Sequence, residues 1–155
     1  MVASLTSSSV LRVMLVDDDA DCRLLVRDAV EEAIDAPVDF YEYASGDAAV
    51  AAVDAQLPGA PDLILMDMEM PGLGGVETVR RLRAVAAFAG VPIVMLSGLA
   101  DGRAIASASE AGATSYAVKP ADAERFVRTV AETAHYWLVI HQTAARHRPQ
   151  AECRR

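Results

Sequence analysis

Residues 63–72 read LILMDMEMPG: a short apolar run, an aspartate at position 67, and a Pro71-Gly72 turn. An apolar run of that length, closed by turn residues, is a strand buried on both faces of a parallel sheet. Four more runs share its scale: LRVMLV (11–16), VDFYEY (38–43), VPIVML (91–96) and TSYAV (114–118). Those at 11–16 and 91–96 are nearly continuous in Val, Ile, Leu and Met, like 63–66. The run at 38–43 alternates, with Val38 and Phe40 set against Asp39, Tyr41 and Tyr43, which suits a strand near the sheet edge.

Helical patterns fill the intervals. Residues 21–35 place Leu24, Leu25, Asp28, Ala29 and Glu32 at helical spacings, with Pro37 beyond the end. Ser45 is an N-cap for a helix through Gln56, stopped by Leu57-Pro58-Gly59. Residues 76–88 carry a Val76, Val79, Leu82, Val85 stripe with Arg80, Arg81 and Arg83 facing outward; 101–111 is an Ala- and Ser-rich helix; Asp122 to about Arg146 is the longest. Strand–helix alternation repeated five times gives an α/β chain whose parallel sheet is covered on both faces, because each crossover is right-handed. For five strands the flavodoxin-like, doubly wound order 2-1-3-4-5 is expected. One domain is drawn over 10–148 with an extended last helix, flanked by tails 1–9 and 149–155.

The chain has 155 residues, 53% of them hydrophobic, and a net charge of −8. That fits one domain with a real core. The acidic balance argues against a nucleic-acid partner, which needs a basic face. Cys22 and Cys153 stand at no metal-ligand spacing, and no basic segment precedes an early apolar run. A reducing, cytoplasmic setting is expected, without a signal peptide. No apolar stretch approaches the roughly 20 residues of a membrane span.

Chemistry collects at strand ends. The first strand runs into Asp17-Asp18-Asp19, the third into Asp67, the fourth ends at Ser97 and the fifth at Lys119. Strands one and three flank the switch point where ligands bind in such sheets. Asp17, Asp18 and Asp67 should therefore converge, and oxygen ligands that close together call for Mg²⁺. A hydroxyl (Ser97) and an ammonium (Lys119) beside them complete a phosphoryl site, with Asp67 the carboxylate nucleophile. Taken singly, Asp19 or Asp21 is a helix cap, Ser97 a turn residue and Lys119 a surface charge. Together they end different strands on one edge. The Lys119-Pro120 bond is open to either isomer.

On these residues the chain resembles the receiver domain of two-component response regulators, from about Leu11 to Arg128. The resemblance matches Asp17 and Asp18 to the acidic pair, Asp67 to the phosphoacceptor, Ser97 to the hydroxyl position and Lys119 to the lysine position. It implies that the backbone carbonyl of Glu69 joins the Mg²⁺ ligands, that a sensor histidine kinase supplies the phosphoryl group, and that Tyr116 is the switch aromatic. Ser97 and Tyr116 would then remodel the surface of helix four, strand five and helix five. Glu69 adds an acidic side chain near the site, and Gly74-Gly75 replaces the Asp-Gly frequent there.

The last helix adds an output surface. Phe126, Val127, Val130, Ala134, Trp137, Leu138 and His141 share one face, while Tyr136, Val139 and Ile140 project from the other. A second apolar stripe implies a partner. An extended last helix with Tyr136-Trp137 also resembles the single-domain regulators that work beside phytochrome-type kinases, which implies a homodimer through strand five and helix five. Two alternatives stay open: an unphosphorylated receiver-like scaffold, and a haloacid-dehalogenase-like phosphatase with Asp17 as nucleophile. The phosphatase reading lacks a later acidic pair and leaves Asp67 without a role.

Overall fold

Each apolar run becomes a strand because its side chains bury on alternating faces. In the computed structural model, which describes residues 10–141, the order is β1 (Leu11–Val16), α1 (Ala20–Ala33), β2 (Val38–Tyr43), α2 (Gly46–Asp54), β3 (Leu63–Asp67), α3 (Gly74–Arg83), β4 (Ile93–Ser97), α4 (Gly102–Ala111), β5 (Ser115–Val118) and α5 (Ala123–His135). The sheet order is β2-β1-β3-β4-β5, every pair parallel, as expected for the flavodoxin-like fold.

Strand periodicity divides the core in two. Met14, Val16, Ile64, Met66, Ile93 and Met95 pack with residues of α2, α3 and α4. Val13, Leu15, Leu63, Leu65, Val94 and Leu96 pack with residues of α1 and α5. Every residue of β3 and β4 is buried, whereas β2 and β5 are edge strands with exposed positions. The same period puts Asp67 on the side of Leu63 and Leu65, toward α1 and α5, and Ser97 on the opposite side with Ile93 and Met95.

Side-chain caps set the starts of α1, α2, α4 and α5. Asp19 accepts from the amides of Asp21 and Cys22, so α1 begins at Ala20, one residue ahead of the expected start. Ser45 caps α2 as expected, Asp101 caps α4 and Asp122 caps α5.

Three differences from the sequence reading have physical causes. The helix expected over 76–88 stops at Arg83; Val85 is extended, and Ala86–Phe88 is a separate 3₁₀ turn that buries Phe88. Arg83 does not face outward: its guanidinium folds under the domain onto the carbonyls of Gly112, Phe88 and Val91 and the hydroxyl of Thr114. Among the described residues the last helix loses its α geometry at His135. After His135 it widens into a π turn, Tyr136–Ile140, and His141 is extended with its amide bonded to the Tyr136 carbonyl at 2.7 Å. Residues 142–146 of the expected helix, and both expected tails, lie outside the described residues. Among the described residues no peptide bond is cis, Lys119–Pro120 included.

Candidate functional site

Four strand ends meet at the carboxyl edge of the sheet. The register pairs Val16 with Met66, Asp67 with Leu96 and Ser97 with Val118, so Asp17, Asp67, Ser97 and Lys119 leave adjacent strands at one level. Asp17 and Asp67 are buried and Asp18 is exposed; one carboxylate oxygen from each lies within 4.8 Å of the others. An open cleft of about 550 Å³ exposes these groups, lined further by Glu69, Lys119 and the first turns of α1 and α5.

Lys119 ties the acids together. Its Nζ donates to Asp17 Oδ2 at 2.9 Å and to Asp67 Oδ1 at 3.0 Å. The backbone orients Asp17 further: its Oδ1 accepts the Asp19 amide at 2.9 Å, and its carbonyl accepts Arg23 at 2.6 Å. Burial works against the Lys119 ammonium, but its bonds and charge contacts with Asp17 and Asp67 prevail and hold its pKa above the ordinary lysine value. Burial is also the main influence on Asp67. The bond and charge of Lys119 oppose it, the charges of Asp17 and Glu69 reinforce it, and the carboxyl is pushed up to about 6. One ammonium thus leaves this cluster short of positive charge. Three converging carboxylate oxygens fit a hard divalent cation that keeps part of its water shell.

Ser97 stands on the other side of Asp67. It is fully buried, its Oγ donates to Glu69 Oε1, and it accepts the Leu99 amide at 3.1 Å. Tyr116 is half-buried on β5, its hydroxyl donating to the Leu99 carbonyl at 2.7 Å. The first turn of α3 passes so close to the Asp67 backbone that it needs a glycine: a Cβ on Gly75 would stand 2.4 Å from the Asp67 carbonyl oxygen.

All the residues expected in the site are therefore brought together, and Tyr116 is joined to them through Leu99. Tyr136, Val139 and Ile140 are exposed, at 45%, 51% and 61%, away from the cleft. Two neighbours escaped the sequence reading. Cys22 faces Lys119, with Sγ to Nζ 3.7 Å, and burial followed by the bond to Asp17 pushes its thiol up to about 12. Its signal was its place one turn into the helix that follows the acidic pair. Leu99 acts only through its backbone and left no signal.

A doubly wound sheet with an acidic, lysine-bridged pocket at its switch point defines a class of phosphoryl-binding α/β domains. Within that class, the chain belongs to the response regulator receiver domain family, whose model matches residues 13–131. Receiver domains are signalling phosphoacceptors of two-component systems, partnered by histidine kinases. A Nocardioides protein-glutamate methylesterase/protein-glutamine glutaminase is 42% identical over 114 residues, covering 72% of this chain and 30% of that protein. The Bacillus subtilis chemotaxis protein CheY is 28% identical, covering 79% of this chain and 96% of the relative. Of the methylesterase and of the Xanthomonas campestris phosphodiesterase response regulator RpfG, the chain spans less than a third. Among solved structures, the phosphorylated cyanobacterial phytochrome response regulator RcpA aligns with a TM-score of 0.81 at 21% identity, covering 88% of this chain and 99% of that one. The Mn²⁺-bound form of response regulator Rcp1 aligns with a TM-score of 0.77 at 20% identity, over 85% of this chain and 97% of that one. Among the described residues, no helix is long and apolar enough to cross a membrane.

Proposed function

We propose that this chain is a phosphorylation switch in which Asp67 accepts a phosphoryl group from the phosphohistidine of a sensor histidine kinase. The observation that carries this reading is the Lys119 bridge between two buried carboxylates, Asp17 and Asp67, in an open cleft beside a buried hydroxyl. An oxygen of Asp67 forms the new bond to phosphorus as the phosphorus–nitrogen bond of phosphohistidine breaks, and the imidazole leaves. Lys119 balances charge on a phosphoryl oxygen, and Ser97 donates its hydroxyl proton to another. Asp17, Asp18, Asp67 and the backbone carbonyl of Glu69 would hold Mg²⁺. When bound, that ion neutralises the phosphoryl oxygens and the converging carboxylates.

Phosphorylation then biases a two-state surface: Ser97 moves toward the phosphoryl group and Tyr116 turns inward, reshaping α4, β5 and α5. The exposed Tyr136, Val139 and Ile140 support a homodimer through β5 and α5. The likeness to a phytochrome response regulator supports a phytochrome-type kinase as the partner, in the cytoplasm. The domain extends over 10–148. A phosphatase attack by Asp17 is disfavoured, since it would leave the buried, Lys119-bonded Asp67 without a role.

The test is intact mass after incubation with Mg²⁺ and acetyl phosphate. One phosphate on the wild type, absent from Asp67→Asn and from an EDTA control, is the expected result. An unmodified wild type that also binds no beryllofluoride would favour the scaffold, and label retained by Asp67→Asn on Asp17 the phosphatase.

A further inference from the structure

The Glu69 side chain has no part in the chemistry above, yet it holds a group that does. Ser97 Oγ carries one proton, and that proton is given to Glu69 Oε1. One lone pair of the same hydroxyl accepts the Leu99 amide at 3.1 Å, and the Leu99 carbonyl accepts the Tyr116 hydroxyl at 2.7 Å. A continuous hydrogen-bonded line therefore runs from Glu69 through Ser97 and the Leu99 peptide backbone to Tyr116 on the edge strand. Within that line Ser97 is fully buried, whereas Glu69 and Leu99 are exposed and Tyr116 is half-buried.

We propose that Glu69 is a positioning residue, a tether that holds Ser97, and through Leu99 also Tyr116, in the resting arrangement. The proposal rests on Asp67 being the phosphoacceptor and supplies the regulation of that site. The Ser97 proton cannot serve Glu69 and a phosphoryl oxygen on Asp67 at once. The Glu69 bond exists only at rest and the phosphoryl bond only in the switched state, so each opposes the other in the equilibrium. The tether sets how much phosphoryl binding must contribute before Tyr116 is released. It differs from plain repulsion between the Glu69 charge and an incoming anion, because it acts through the Ser97 hydroxyl.

Beryllofluoride with Mg²⁺ is the probe, titrated into wild type, Glu69→Ala, Glu69→Gln, Ser97→Ala and the double variant Glu69→Ala/Ser97→Ala. Glu69→Ala should tighten binding by roughly three- to tenfold, the effect of losing one competing hydrogen bond. Glu69→Gln should tighten it less, since the amide oxygen still accepts the Ser97 proton. In the Ser97→Ala background, Glu69→Ala should change affinity no more than about twofold. Equal tightening in both backgrounds would reduce Glu69 to repulsion and overturn the tether. A second readout needs no ligand: Glu69→Ala should speed hydrogen exchange at the Leu99 amide in the resting protein, and unchanged exchange would also overturn it. A wild type that binds no beryllofluoride would refute the phosphoacceptor reading, and Leu99 exchange would still decide the tether.

Discussion

Replacing Arg83 with methionine tests the least expected part of the fold. The guanidinium donates to the Gly112 carbonyl at 2.8 Å, the Phe88 and Val91 carbonyls at 2.7 Å, and Thr114 Oγ1 at 3.1 Å. Thr114 Oγ1 also accepts the Ile93 amide at 3.0 Å, so one side chain joins the end of α3 to the starts of β4 and β5. Buried charge-assisted bonds contribute about 1.5–3 kcal/mol each; for this half-buried group about 1 kcal/mol each is reasonable, or roughly 3–4 kcal/mol for the set. Methionine keeps the stem that packs over Gly112, whose left-handed φ of 108° closes α4. The loss should appear in urea unfolding as that free energy, and in melting as a drop on the order of 10 °C. Arg83→Lys should fall between, because an ammonium cannot span the same acceptors. Phosphate incorporation at saturating acetyl phosphate should persist, since Asp67 lies at the opposite edge of the sheet. A loss below about 1 kcal/mol for methionine, or a lysine variant equal to wild type, would refute the reasoning.

Three further outcomes are expected. Gly75→Ala places a Cβ 2.4 Å from the Asp67 carbonyl and 2.8 Å from Met68 Cα; the backbone must shift, with a cost of about 2–3 kcal/mol in unfolding experiments and slower phosphate incorporation. At ten times its dissociation constant, Mg²⁺ should stabilise the wild type by about 1.4 kcal/mol, a few degrees in a melting scan against EDTA. Asp18→Asn should lose most of that shift, and an undiminished response would remove Asp18 from the ligand set. Val139→Glu with Ile140→Glu, at positions more than half exposed, should turn the proposed dimer into a monomer by light scattering while leaving melting within a few degrees.

The sequence was most legible where one physical rule acted alone. β1 and β2 fall on the expected residues because apolar runs and turn residues decide them. The strand-end chemistry was legible for the same reason: once the order is known, the last residue of each strand has a fixed place. What stayed hidden depends on contacts far apart in the chain. The guanidinium of Arg83 meets Thr114, 31 residues away, and no spacing announces that. The helix over 76–88 read as continuous because Val85 and Phe88 keep a helical rhythm, whereas the chain breaks so that Phe88 can enter the core. The bond from Ser97 to Glu69 follows from the path of a loop, which composition does not encode.

The site divides into a fixed floor and a rim with room to change, and the division follows from burial. β3 and β4 are buried at every residue, so Asp67 and the backbone of Ser97 cannot retreat from one another or from Asp17. The repulsion among the acids is therefore held in place by the core. Among the described residues Lys119 is the one cation ion-paired with the two buried carboxylates, so the repulsion is relieved by added positive charge more readily than by movement. The rim is built differently. Residues 98–103 are exposed, and a Cβ added at Gly98 or Gly102 would meet nothing within 4 Å. The hydrogen bonds from the Ser97 hydroxyl through Leu99 to Tyr116 lead from that floor into the rim. On the proposed function, that asymmetry would let a phosphoryl group on Asp67 alter the edge strand while the core stays as it is.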